Sequence, residues 1–181
     1  MKWIYGRQDW KTLERGLENC YLLTNGLGGF SSLTMTGAVA RNDHSVFMAC
    51  TKAPNHRINM IHRMKEELDI GESKYVLSTQ EFADGTKEEG YRYLTEFSFE
   101  ILPSWRYLIN GIEIEKEIVM AQGSNQIAVN YHLKNRGQKE AALCVTPFFQ
   151  FEPKGEDLKE DKIFSRQEQK ITDGKYALFF E

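Results

Sequence analysis

The chain has 181 residues, 41% of them hydrophobic and 27% charged, which suits a water-soluble fold with a substantial core. Its formal charge of −3, with Lys and Arg scattered among acids, excludes the basic patch of a nucleic-acid binder. No apolar run approaches the ~20 residues of a membrane helix, and Met1-Lys2-Trp3-Ile4-Tyr5 opens no signal-peptide h-region. No membrane partner is therefore expected. Aromatics make up 12% of the chain, which favours pleated sheets and stacking surfaces.

In chain order, Asp9 to Arg15 predicts a short helix capped by Asp9. Next comes Leu23-Thr24-Asn25-Gly26-Leu27-Gly28-Gly29-Phe30, with three glycines in four positions behind an apolar run. Glycine admits backbone angles that side chains forbid, so this stretch is either an elaborate turn or a docking place. Ser45 to Cys50 reads as a buried strand ending in the turn Ala53-Pro54-Asn55. Arg57 to Leu68 fits strand or helix, and Lys74 to Leu77 fits a short strand. Phe97, Phe99 and Ile101 alternate with polar residues. Tyr107 and Ile109 lead into Asn110-Gly111, and Ile112 and Ile114 lead out, which is the pattern of a tight hairpin. Ile127 to Leu133 and Ala141 to Val145 keep the period of two around a turn at Asn135 to Gln138. Glu152 to Lys162 reads as a solvated charged loop, and Ser165 to Ile171 with Lys175 to Phe180 as one more hairpin about Asp173-Gly174. The pattern predicts an all-β fold of two packed antiparallel sheets with short helical segments.

Chemistry-bearing motifs are sparse. There is no GxSxG, Ser31 breaks the GxGxxG pattern begun at Gly26, and no P-loop follows, so neither a catalytic residue nor a cofactor is assigned. His62 and Glu66 would share a helical face, a weak pattern for a metal, and no metal is expected. Glu66-Glu67 and Glu88-Glu89 are paired acids with nothing to single them out for glycoside hydrolysis. Cys20, Cys50 and Cys144 form no CxxC pair and are expected as buried free thiols of a reducing cytoplasm. Arg41-Asn42-Asp43-His44 interrupts two apolar stretches, so it either ends a strand within a structural network or lines a polar pocket. Such side chains suit sugar hydroxyls, with Tyr91, Tyr93 and Trp105 available for stacking.

The run from Asn19 to Phe30, followed by Gly37, Arg41 and His44, resembles the start of bacterial and archaeal glycogen debranching enzymes of the amylo-α-1,6-glucosidase type. Those enzymes carry a Leu-x-Thr-Asn-Gly-Leu-Gly-Gly-Tyr/Phe motif and then Thr-Arg-Arg-Tyr-His-Gly. Pro54 with Arg57, Glu67, Tyr91 to Leu94, Pro103 to Tyr107 and Ile114 to Glu117 extend the likeness over roughly residues 18 to 150. The resemblance implies an N-terminal β-supersandwich similar to galactose mutarotase-like sandwiches. It also implies a following (α/α)6 domain that carries the hydrolytic acids. Residues 1–181 are thus expected to be an N-terminal domain cut from a longer cytoplasmic chain. Its expected partners are α-glucan and the catalytic domain, with Asn25, Gly28, Gly29, Arg41, His44 and Arg57 as glucan contacts. A carbohydrate-binding module and a purely structural docking domain are the alternatives. Two departures stand out: Ala40-Arg41-Asn42-Asp43-His44-Ser45 keeps only the first Arg and the His of the second motif, and Gln150-Phe151-Glu152-Pro153 stands where a charged segment is expected.

Overall fold

The computed structural model describes residues 1–159, 166–172 and 175–180. The strands are β1 (Trp3–Gly6), β2 (Leu23–Thr24), β3 (Phe30–Ser32), β4 (Ser45–Lys52), β5 (His56–Ile70), β6 (Ser73–Val76), β7 (Thr79–Glu81), β8 (Lys87–Glu89), β9 (Leu94–Phe99), β10 (Pro103–Ile109), β11 (Ile112–Met120), β12 (Ile127–Asn135), β13 (Ala141–Pro153), β14 (Arg166–Thr172) and β15 (Lys175–Phe180). Sheet one runs β1-β9-β10-β11-β12. Sheet two runs β13-β5-β4-β3-β2, with β6 also on β5, and every pairing is antiparallel. The expected all-β two-sheet architecture is borne out. Among the described residues no helix is long and apolar enough to cross a membrane.

Alternation explains sheet one. In β11 every second residue from Ile112 to Met120 is buried. Asn110 and Gly111 have φ of 49° and 83°, the paired positive values that a two-residue hairpin turn demands. Ile101 breaks the expected pattern: β9 ends at Phe99, and Ile101 lies in the connection to β10, largely exposed. Sheet two is less regular. Arg57 to Leu68 resolves as strand, inside the 15-residue β5, because β13 pairs along one side while β4 and β6 share the other. His62 and Glu66 therefore do not share a helical face; an extended strand sets them about 13 Å apart. Among the described residues no His, Cys, Asp and Glu gather in a group that would hold a metal.

Other expectations need correction. The first helix, α1 (Leu13–Gly16), is capped by Thr12, whereas the Asp9 carboxylate accepts from the Gly6 amide in the preceding 3-10 turn. The charged stretch after Phe151 is not all solvated loop, since β13 runs to Pro153 and Glu152 is buried. Of the three free cysteines only Cys50 is buried. The hairpin of β14 and β15 forms as expected, while its turn at Asp173-Gly174 lies outside the described residues.

The core fills the space between the sheets with Trp10, Tyr21, Leu68, Leu94, Phe97, Trp105 and their neighbours. Trp105 is fully buried and donates its indole N–H to the Met35 carbonyl at 2.8 Å, so it packs the core and offers no stacking face. Tyr91 and Tyr93 also lean on this core. One charged pair crosses it. Lys116 of β11 donates to Glu66 Oε1 of β5 at 2.5 Å, and Tyr131 of β12 donates to the same oxygen at 2.7 Å. The Lys116 ammonium also sits 5.2 Å from the Trp105 ring. Burial first, then the Glu66 charge, pushes the phenols of Tyr131 and Tyr107 up, so both keep their protons. The paired acids noted in the sequence are thus engaged: Glu66 here, and Glu88 with Arg63 (2.7 Å) and Ser78 (2.8 Å). Lys116→Met strands the Glu66 carboxylate in the core and is expected to cost about 3–5 kcal/mol in urea unfolding. Adding Glu66→Leu in the same chain restores most of that loss; a double variant no better than the single refutes the pairing.

Candidate functional site

The glycine motif is organised by one side chain. Asn25 is fully buried; its Oδ1 accepts from the amides of Leu27 and Gly29, each at 3.0 Å. Its Nδ2 donates to the Ser124 carbonyl at 2.9 Å and to Asn125 Oδ1 at 3.1 Å. Asn125 in turn accepts from the Cys50 amide (3.2 Å) and donates to the Cys50 carbonyl (2.8 Å). The loop between β11 and β12 is thereby clasped to β4 and to the β2–β3 turn. Gly28 has a φ of 96°, and a Cβ there would lie 3.0 Å from the Pro54 carbonyl; a Cβ on Gly29 would lie 2.7 Å from Asn25 Nδ2. Close backbone packing thus requires both glycines. Asn25, expected as a glucan contact, is buried and spends its amide holding this turn together.

Beside this turn opens a groove of about 500 Å³. Gly28, Gly29, Arg41, His44 and Arg57, five of the six residues selected from sequence, line it. Arg57 Nε donates to the Gly28 carbonyl at 2.6 Å and holds the turn against β5. Arg41 reaches back from the β3–β4 connection to the Glu18 carbonyl at 3.1 Å. His44, just before β4, is buried and accepts at Nδ1 from the Ala40 amide at 3.1 Å. Burial, then the Arg41 charge, holds its imidazole below the ordinary value of 6.5, so it is neutral at pH 7. The segment Arg41 to His44 therefore both sits at a strand end, immediately before β4, and lines the pockets.

Lys154 also lines the groove, and no local motif marks it. It pairs with Asp43 at 3.1 Å and lies 5.8 Å from the Phe30 ring. Only the β5–β13 ladder brings it here, through its amide bonded to the Arg57 carbonyl at 2.9 Å.

A second, polar pocket of about 430 Å³ adjoins the groove across Arg41. Its floor is a chain of buried amides. Asn59 donates to Gln150 Oε1 at 2.9 Å and to His62 Nδ1 at 3.1 Å, and Gln150 donates to the Glu156 carbonyl at 2.7 Å. Burial, then Arg63, lowers the His62 pKa as well. Gln150, noted in the sequence as a departure from the family pattern, is thus a structural member of this pocket. A third pocket of about 280 Å³, lined by Trp3, Tyr5, Phe97 and Phe99, shares Cys20, Tyr21 and Leu22 with the groove.

Fold and site together define a two-sheet antiparallel sandwich with a mixed polar and aromatic groove lined by the glycine turn, by β2, β3 and β5 of sheet two and by the segment before β4. The chain belongs to the family described as "Glycogen debranching enzyme N terminal", whose model matches residues 19–180. A 60-residue stretch is also 32% identical to a membrane protein insertase YidC of Thiobacillus denitrificans, taking in 33% of this chain. That match spans only 11% of the insertase, too little to bear on fold or function. No solved structure matches the chain.

Two measurements check this geometry. Asn25→Asp sets carboxylate oxygens against the Ser124 carbonyl and Asn125 Oδ1, and is expected to cost at least ~2 kcal/mol in urea unfolding. Because folding depresses the His44 and His62 pKa values, the unfolded chain binds more protons below the ordinary value. Stability is therefore fully present above it and declines as pH falls through and below that ordinary value of 6.5. Thermal melts across that window should show a falling midpoint, with a shallower slope in a His44→Gln, His62→Gln double variant.

Proposed function

We propose that this chain serves as the N-terminal domain of a debranching-type glycoside hydrolase, packing on a helical catalytic domain and helping to shape its α-glucan site. The observation that carries the reading is the convergence of Gly28, Gly29, Arg41, His44 and Arg57 on one groove. The groove mixes hydrogen-bonding groups with the Phe30 ring, a combination suited to a neutral sugar with polar edges and an apolar face. Arg41 contributes donors at the rim, His44 a neutral imidazole, and the Gly28-Gly29 backbone a close approach free of side chains. Hydrolytic acids belong to the catalytic domain of the parent chain, and the cytoplasm is the compartment this reading implies. The 181 residues alone are not expected to hydrolyse glucan.

Arg41 is the residue to test, because it is exposed at the groove rim. In the parent enzyme Arg41→Ala is expected to raise KM for branched glucan about three- to tenfold, the loss of a charged hydrogen bond to substrate, with little change in melting temperature. An unchanged KM turns the assignment toward a structural docking domain that never touches substrate.

A further inference from the structure

The three pockets form a series. The polar pocket and the central groove share Arg41; the groove and the aromatic pocket share Cys20, Tyr21 and Leu22; the two outer pockets share nothing. Three pockets that abut in this order, each of the order of a small-molecule site, offer consecutive subsites. The ends differ in chemistry. At one end Trp3, 55% exposed on β1, stands with Tyr5, Phe97 and Phe99. At the other, His62 has only its Nδ1 engaged, and Asn42 makes no hydrogen bond among the described residues. Glu81, Glu156 and Asp157 on the wall of that polar end disfavour an anionic ligand. A neutral, extended, polyhydroxylated chain meets all three environments: its apolar ring faces suit the aromatics, and its hydroxyls suit the amides and the imidazole.

We infer that the domain binds a linear α-glucan segment of several sugars along one continuous groove, stacking a sugar on Trp3 at one end and hydrogen-bonding another through Asn42 and His62 at the other. This rests on the glucan reading proposed above and adds to it a length preference and two end subsites. A maltose-sized ligand fills only part of the three pockets, whereas a heptasaccharide carries enough sugars to occupy all of them.

Calorimetric titration of the intact chain with maltose and with maltoheptaose tests it. Maltoheptaose is expected to bind at least roughly tenfold tighter than maltose, the gain from added contacts on one ligand. Trp3→Ala is expected to weaken maltoheptaose binding about fivefold, as loss of an aromatic platform does, with Trp3→Phe restoring most of it. Asn42→Ala weakens maltoheptaose binding about threefold from the opposite end. Both side chains are exposed, so circular dichroism and melting curves should match the wild type. Equal affinity for the two sugars overturns the continuous groove and leaves the central glucan site standing. Unchanged maltoheptaose affinity in both variants removes the end subsites. Wild-type protein that binds neither sugar overturns the glucan reading itself, and this inference with it.

Discussion

Two carboxamides hold the working end of this sandwich together. Asn25 and Asn125 meet at 3.1 Å, and each spends its remaining capacity on backbone: Asn25 on its own turn and on Ser124, Asn125 on Cys50. Sheets packed only by apolar contact can slide; a pair of amides with fixed donor and acceptor directions cannot. The clasp fixes the glycine turn relative to β4, and the Arg57 side chain then ties that turn to β5. Every wall of the groove is anchored to one of these elements.

A second tie lies deeper. The Lys116–Glu66 pair joins β11 of sheet one to β5 of sheet two, each flanked by strands on both sides, where the surroundings are aromatic and buried. Such a pair adds little net stability compared with an apolar pair of similar size, but it makes displaced registers costly, because any slip strands a buried charge. With Tyr131 as a third partner, Glu66 Oε1 receives two hydrogen bonds from the opposite sheet. The clasp and the ion pair together fix sheet two over sheet one at two separated points.

Much of this was readable from the sequence. Alternation exposed β10 to β12, and Asn110-Gly111 named their hairpin, because one buried and one solvated face write a period of two. The groove residues were reached through the glycine motif and Arg41 to His44, which are local in sequence. Asn25 was chosen for its place in that motif, yet sequence does not say whether an amide faces inward or outward. β5 was ambiguous because bulges against both β4 and β13 blur its period. Lys154, Asn59 and Gln150 were not picked out as site residues, since only the pairing of β5 with β13 brings them to the groove and the polar pocket. Trp105 carries the same sequence signal as core or as a stacking ring, with core the default, and its full burial makes it core.

The order of strands has a consequence for how the molecule is assembled. Sheet two takes β2 to β6 early in the chain and β13 late, and nearly all of sheet one is inserted between them. The connections from β9 to β12 are short, so these four strands find one another through local contacts, and only β1 joins them from far away in the chain. The long β5, by contrast, waits for residues 141–153 before its second side is covered. During synthesis that side is a row of unpaired amides and carbonyls, the kind of edge that recruits wrong strands. The exposure of the nascent chain to misassembly is therefore set by the time taken to make the inserted sheet, and it ends when β13 closes the seam.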